Sequence, residues 1–302
     1  MVLSKKPMIK SKKYPHFLYL IFLIFILFIY LAAKEIKGSI FLKKIDRINV
    51  VFYSATPIFY SLKPDEVNYY LTFDPKIKLL VPGGYGYYRV GGLGKLVALE
   101  KKPVLFKKVF SLATGSMIDL YFYPSKAQIY YKGEEKAAIF PKLNQIFFYS
   151  SNANLLDRFL IFGFFVKSKR YYFKKIDNNY YFSDEQNDKI YDDESFFKAN
   201  QGLFYKKKYR DLKTNVQIFY QSSYKTAIKI SQIIEGEGIR VVDIDKLENQ
   251  PKNNCLIIEN QKNPSLIAQI LQQFFNCQFK KEKTEISDII LMLGNLEKDW
   301  EI

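Results

Sequence analysis

Residues 17–33, FLYLIFLIFILFIYLAA, form an unbroken apolar run directly behind five lysines. This run constrains the chain most, because seventeen residues of helix reach about 26 Å, close to the thickness of a hydrocarbon core. Lys5, Lys6, Lys10, Lys12 and Lys13 precede it and no acidic residue does. The positive-inside bias therefore keeps the N-terminus in the cytoplasm and sends the remaining chain outside. Tyr14, Tyr19 and Tyr30 suit the two interfaces. A cleaved signal peptide is the rival reading. Its apolar core usually spans about 7–15 residues and ends in a small-x-small site, a spacing that Leu31-Ala32-Ala33-Lys34 lacks. The expectation is a single-pass protein of the cell membrane. Residues 1–37 are its basic tail and anchor, and the bulk is extracytoplasmic.

The net charge of +16 is uneven. Residues 214–302 hold ten basic and twelve acidic residues, so the surplus lies before them. A basic membrane-proximal surface attracts anionic head groups, lipid-linked phosphates or anionic wall polymers. Simple solubility of a lysine-rich chain accounts for the same charge. Nucleic acid is not expected as a partner, because the anchor places this surface outside the cytoplasm. The sole histidine, His16, precedes the span, which excludes a Ser-His-Asp triad or a His-based zinc site beyond it. Cys255 and Cys277 allow one pairing; two buried thiols are the equal alternative.

From Arg47 the pattern turns strand-like, at residues 48–53, 67–73 and 77–81, with a turn at Asp74-Pro75-Lys76. Residues 82–86 read as a loop. Residues 92–115 are helical in character and broken by Pro103. Strands are expected at 118–123 and 127–131. The apolar stretch 159–166 reads as a buried helix or strand. Residues 167–213 are a basic and acidic connector with some strand content. Its acidic part, residues 184–194, lacks the ligand spacing and central glycine of a calcium loop. Beyond it come a strand at 216–220, a helix at 224–235 ended by Gly236 and Gly238, and a strand at 239–242, a β-α-β unit. A strand at 255–259, a helix at 264–275 with a clean apolar face, a short strand near Phe279 and a strand at 289–293 complete an α/β layer.

Gly83–Lys95 (GGYGYYRVGGLGK) invites a phosphate-loop reading but fails the Walker pattern, since Arg89 stands at the first glycine and Leu96 at the Ser/Thr. Gly84, Gly86, Arg89 and Lys95 remain candidates for receiving an anion at a helix N-terminus. The plainer reading is a turn that needs positive φ. Asp65 and Asp74, with Arg89, are the candidate catalytic residues; turn formation explains Asp74 equally. Lys206, Lys207, Lys208 and Arg210 are candidates for polyanion binding, and a solvated linker explains them as well. No metal site is expected.

The C-terminal pattern resembles the LytR C-terminal domain. The stretches that carry the resemblance are Val216–Tyr220, Ala227 through Gly238-Ile239-Arg240-Val241-Val242, and Ser287-Asp288-Ile289-Ile290-Leu291-Met292-Leu293-Gly294. Where that family often has an Asn-Gly turn, this chain has Tyr220-Gln221-Ser222-Ser223. The middle segment resembles the catalytic LytR-CpsA-Psr domain through Ile48–Tyr53, Asp65–Phe73, Asp74-Pro75-Lys76, Val81-Pro82 and Ile118-Asp119-Leu120-Tyr121, in the family's order. The resemblance implies an α/β domain at 45–166 and a small two-layer α/β domain with βαβ units at 214–302. It also implies transfer of a glycopolymer from polyprenyl pyrophosphate to the cell wall, with arginines and aspartates holding pyrophosphate and magnesium. Gly83-Gly84 stands where the family has Arg-Asp, so the main clamp is missing. The expected function is therefore non-catalytic: binding of wall glycopolymer, its lipid-linked precursor or an envelope protein, with no cofactor. The alternatives are a magnesium-dependent phosphotransferase and a structural protein-interaction module of an envelope or appendage assembly.

Overall fold

The computed structural model describes residues 15–40, 46–64, 66–125, 139–167, 172–247 and 254–302. The expected strand at 127–131 and the candidate Asp65 lie outside them. Helix α1, Pro15–Gly38, is 24 residues long, about 36 Å. Within it Tyr19–Ile36, mean hydropathy 2.2, is long and apolar enough to cross a membrane.

Among the described residues the strands form three sheets in a mixed α/β architecture. The first contains β1 (Ile48–Phe52), β2 (Ile58–Leu62), β3 (Asn68–Thr72), β6 (Leu120–Tyr123), β7 (Ser150–Ser151) and β8 (Phe173–Lys175), in the order β7-β6-β1-β2-β3-β8. β1 runs antiparallel to β2 and parallel to β6. All five residues of β1 are buried, because both faces of the sheet are covered. Val51 and Tyr53 face α2 (Leu93–Glu100) and α3 (Val104–Thr114), joining a core with Phe106, Val109 and Phe110. Val50 and Phe52 face the other way, toward α4 (Leu143–Phe148) and α5 (Leu155–Lys167), where Ile161 and Phe165 are buried.

The second sheet pairs the hairpin β4 (Lys78–Val81) and β5 (Gly86–Arg89) with β10 (Lys189–Tyr191) and β9 (Tyr181–Ser183). The connector reading of 167–213 thus needs correction. β8 pairs with β3, β10 pairs with β4, and α6 (Asp193–Asn200) packs Phe196 into the first core. Gly86, at the end of the expected loop 82–86, already belongs to β5, and β2 lies between the expected strands 48–53 and 67–73. Phe159 is exposed, unlike the buried stretch expected at 159–166, because α5 turns only one face to the sheet.

The third sheet has the order β12-β11-β15-β13-β14: β11 (Asn215–Tyr220), β12 (Arg240–Lys246), β13 (Leu256–Glu259), β14 (Gln278–Lys281) and β15 (Ile289–Met292). β11 runs parallel to β12 and β15, and β13 runs antiparallel to β15. Helices α8 (Tyr224–Glu235) and α9 (Leu266–Phe275) bury Ile230, Ile233, Ile234, Ile267 and Leu271 against it. Ser223 and Ser265 cap them by accepting the Thr226 and Ala268 amides. At the head of α8, the Glu297 carboxylate of α10 (Leu296–Asp299) accepts the successive amides of Gln221, Ser222 (2.7 Å) and Ser223 (2.9 Å). Cys255 and Cys277 are disulfide-bonded. Trp300 is buried against Phe274 and Phe275.

Gly236 brings the two halves together. Its φ is ordinary, but a Cβ there would stand 1.7 Å from the Gly115 carbonyl oxygen. Close approach, not backbone freedom, demands this glycine, whereas Gly238 at φ +91° does need the freedom.

Candidate functional site

The glycine loop folds as a turn. Gly83, Gly84 and Gly86 have φ of +92°, +80° and +69°. The Gly83 and Gly84 amides donate to the Glu301 carbonyl, at 2.8 and 3.3 Å. The amide of Gly94, in the first turn of α2, donates to the buried Tyr53 hydroxyl at 2.8 Å, so that helix start is satisfied from within. Arg89 donates to both Asp188 oxygens, at 2.8 and 3.0 Å. Lys78 reaches Asp184 and Asp188 at 2.8 and 2.9 Å. Its hydrogen bonds hold both carboxyls below the usual carboxylate range, helped at Asp188 by Arg89, and the two aspartates raise Lys78 in return. Lys95 is exposed. Asp74, also exposed, accepts the Lys76 amide at 2.9 Å as a turn former. Arg89 and Asp74 thus engage separate partners.

The basic run at 206–210 divides. Lys207, Lys208 and Arg210 lie exposed in or beside the one-turn helix α7 (Lys207–Asp211). Lys206 does not belong with them. It is 1% exposed, with Nζ 3.0 Å from Asp119 Oδ1 and 2.7 Å from Glu237 Oε2. Burial opposes its charge, but the two carboxylates outweigh burial and hold its pKa above the ordinary lysine value. Glu237 is fully buried. Its Oε1 accepts the Met117 amide at 2.7 Å and the Asn49 side chain at 3.3 Å. The Asn49 amide in turn donates to Asp119 at 2.8 Å. Desolvation pushes Glu237 up to about 7, and the Asp119 charge adds to that rise against the pull of Lys206. The cluster therefore joins the start of β1, the approach to β6, the turn after α8 and the residue before α7. In the sequence Asp119 carries no signal beyond its place in Ile118-Asp119-Leu120-Tyr121, and Glu237 is hidden between Gly236 and Gly238.

Beside the cluster lies a cavity of about 130 Å³, lined by Ile40, Lys107, Met117, Asp119, Tyr209 and Phe274 among others. Lys107 Nζ donates to the Phe274 carbonyl at 3.1 Å and sits 3.8 Å from the Phe274 ring centroid. Burial lowers its pKa to about 8. Chemically, the cavity offers one partly desolvated amine, one carboxylate and apolar walls.

Magnesium is implied by the phosphotransferase alternative. Among the described residues no three carboxylate, cysteine or histidine side chains converge. Asp119 and Glu237 do meet, but on the Lys206 ammonium. These residues do not fit a magnesium ion.

No protein-family model matches the chain, and no curated protein matches it in sequence. Among solved structures, the chain is similar to TagT of B. subtilis at 11% identity and a TM-score of 0.36, over 52% of this chain and 89% of that one.

Proposed function

We propose that this is a membrane-anchored cell-envelope protein of two extracytoplasmic domains, the first divergent LytR-CpsA-Psr-like and the second LytR C-terminal-like. It binds the anionic head group of a lipid-linked wall precursor without turning it over. The observation that carries the reading is the Lys107 cavity, lined by Ile40, two residues beyond the end of α1. An ammonium at that place, still mostly protonated at neutral pH with its pKa at about 8, meets an anionic head group as it leaves the bilayer. The pairing of Arg89 with Asp188 and of the Gly83 and Gly84 amides with Glu301 supports binding without catalysis, since these groups are not held as a clamp for a leaving pyrophosphate. The Cys255–Cys277 bridge suits an oxidising compartment outside the cytoplasm.

The test is to offer the purified full chain a polyprenyl pyrophosphate with magnesium, scoring binding and turnover. Binding without turnover, lost in Lys107→Met and kept in Arg89→Ala, is the expected result. Turnover abolished by Arg89→Ala would establish the phosphotransferase instead. Neither binding nor turnover would move the function to residues 214–302 and an envelope protein partner.

A further inference from the structure

On α5, Leu155, Phe159, Phe162 and Val166 recur at the spacing of one helical face. Leu155, Phe159 and Val166 are 57%, 55% and 66% exposed, while Ile161 and Phe165 on the other face are buried against the first sheet. Helix α4 extends the same surface. Phe147 packs on Phe159 and Phe162, with ring centroids 5.2 and 5.7 Å apart, and its neighbours Leu143 and Phe148 are 60% and 80% exposed. Five large exposed apolar side chains on two helices joined through Phe147 mark a contact surface rather than the scattered exposure of an ordinary exterior.

The end of α1 is bonded to the start of α5. Asn154 Nδ2 donates to the Glu35 carbonyl at 2.8 Å, and the Leu155 amide donates to the Glu35 carboxylate at 2.9 Å. Ser39 Oγ and the Ile40 amide both donate to Asp157 Oδ1, at 2.5 and 3.0 Å. The first residue of the apolar stripe is therefore held against the last turn of the helix that is long enough to span a membrane. The charge pattern agrees. Asp157, the sole acidic residue of α4 and α5, is buried, whereas Lys142 and Lys167 are exposed at the outer ends of the two helices and Lys34 is exposed on α1.

We infer that the α4–α5 face is a second membrane contact, lying in the bilayer interface beside the anchor with its lysines among anionic head groups. The inference rests on the anchor reading of α1. Its chemistry is that of an interfacial helix: Leu155, Phe159 and Val166 enter the boundary between acyl chains and head groups, and the buried face stays on the sheet. The anchor and the face share one occupant, the outer leaflet, because Glu35 and Asp157 hold the two helices end to end.

The test reconstitutes the full chain into vesicles of phosphatidylcholine and phosphatidylglycerol, with and without brominated acyl chains, and reads tryptophan fluorescence above the background of Trp300. Phe148→Trp and Val166→Trp report the face, and Phe25→Trp reports α1. Tyr224→Trp reports the head of α8, at the opposite end of that helix from Glu237. Fluorescence should fall by about half at 148 and 166, as at 25, and stay unchanged at 224. Quenching at 25 without quenching at 148 and 166 overturns the inference and leaves the anchor standing. No quenching at 25 removes the anchor reading and the inference with it. Equal quenching at 224 also overturns the inference, since the contact would then not belong to this face.

Discussion

Lys206 Nζ lies 2.7 Å from Glu237 Oε2, and neither side chain reaches solvent. Asp119 shares the same ammonium, so one cation answers two carboxylates. Lys206→Met removes the cation from the fully buried Glu237 and the part-buried Asp119, and should cost about 3–5 kcal/mol. Denaturant unfolding followed by Trp300 fluorescence measures this. Adding Glu237→Gln to Lys206→Met should recover part of the loss; strict additivity of the two substitutions would show that the pair is not coupled.

Glu237 also sets a pH dependence. Its carboxyl titrates near 4.5 in the unfolded chain and at about 7 in the folded one. Between those values the folded state holds the extra proton, so this group's contribution to stability falls as pH rises through the window. The loss should reach about 3 kcal/mol above pH 7. Unfolding free energies of the parent and of Glu237→Gln, taken from pH 4.5 to 8, should diverge by that amount, with the variant showing the flatter profile. Parallel profiles would sink the assignment.

Gly236→Ala forces a methyl group into the Gly115 carbonyl. Two backbones meet there, so relief requires the halves to part. A loss of about 3 kcal/mol is expected, at the top of the usual range for overpacking. Gly86→Ala is a useful comparison, since a Cβ there meets nothing within 4 Å and only the positive φ opposes it. Thermal melts of the two variants should rank Gly236→Ala as the more damaging.

The Cys255–Cys277 bridge closes a sequence separation of 22 residues, tying the start of β13 to the start of β14. Loop-closure entropy assigns it about 3 kcal/mol. Reduction, or Cys255→Ala with Cys277→Ala, should lower the melting temperature and raise hydrogen exchange first in β13, β14 and α9. Unchanged exchange in these elements would show that the layer holds without its crosslink.

The sequence made α8, α9, β11 and β15 legible because their apolar residues repeat at periods that local rules recognise. It also separated α2 from α3 through Pro103. It could not place β8, β9 and β10. These are three-residue strands among charged residues, and the partner of Phe173 is Asn68, more than a hundred positions earlier. The site failed for a related reason. Lys206 opens a run of lysines and looks solvated, and only the chain path brings Asp119 and Glu237 to it. The Asp184–Glu194 acids looked like linker composition, yet Asp184 and Asp188 hold Lys78 and Asp188 also holds Arg89. The Gln221-Ser222-Ser223 turn resembled nothing special until Glu297 filled it.

The strand order of the third sheet dictates an order of manufacture. β15 comes after the other four strands of this sheet in chain order, yet it lies between β11 and β13. Until it is made, the pair β11–β12 and the pair β13–β14 lack the strand between them, and their facing edges carry unpaired backbone N–H and C=O groups. Nascent chains ending before residue 289 should therefore expose those edges and depend on shielding by chaperones. Loss of the four residues 289–292 alone would divide the sheet at its middle.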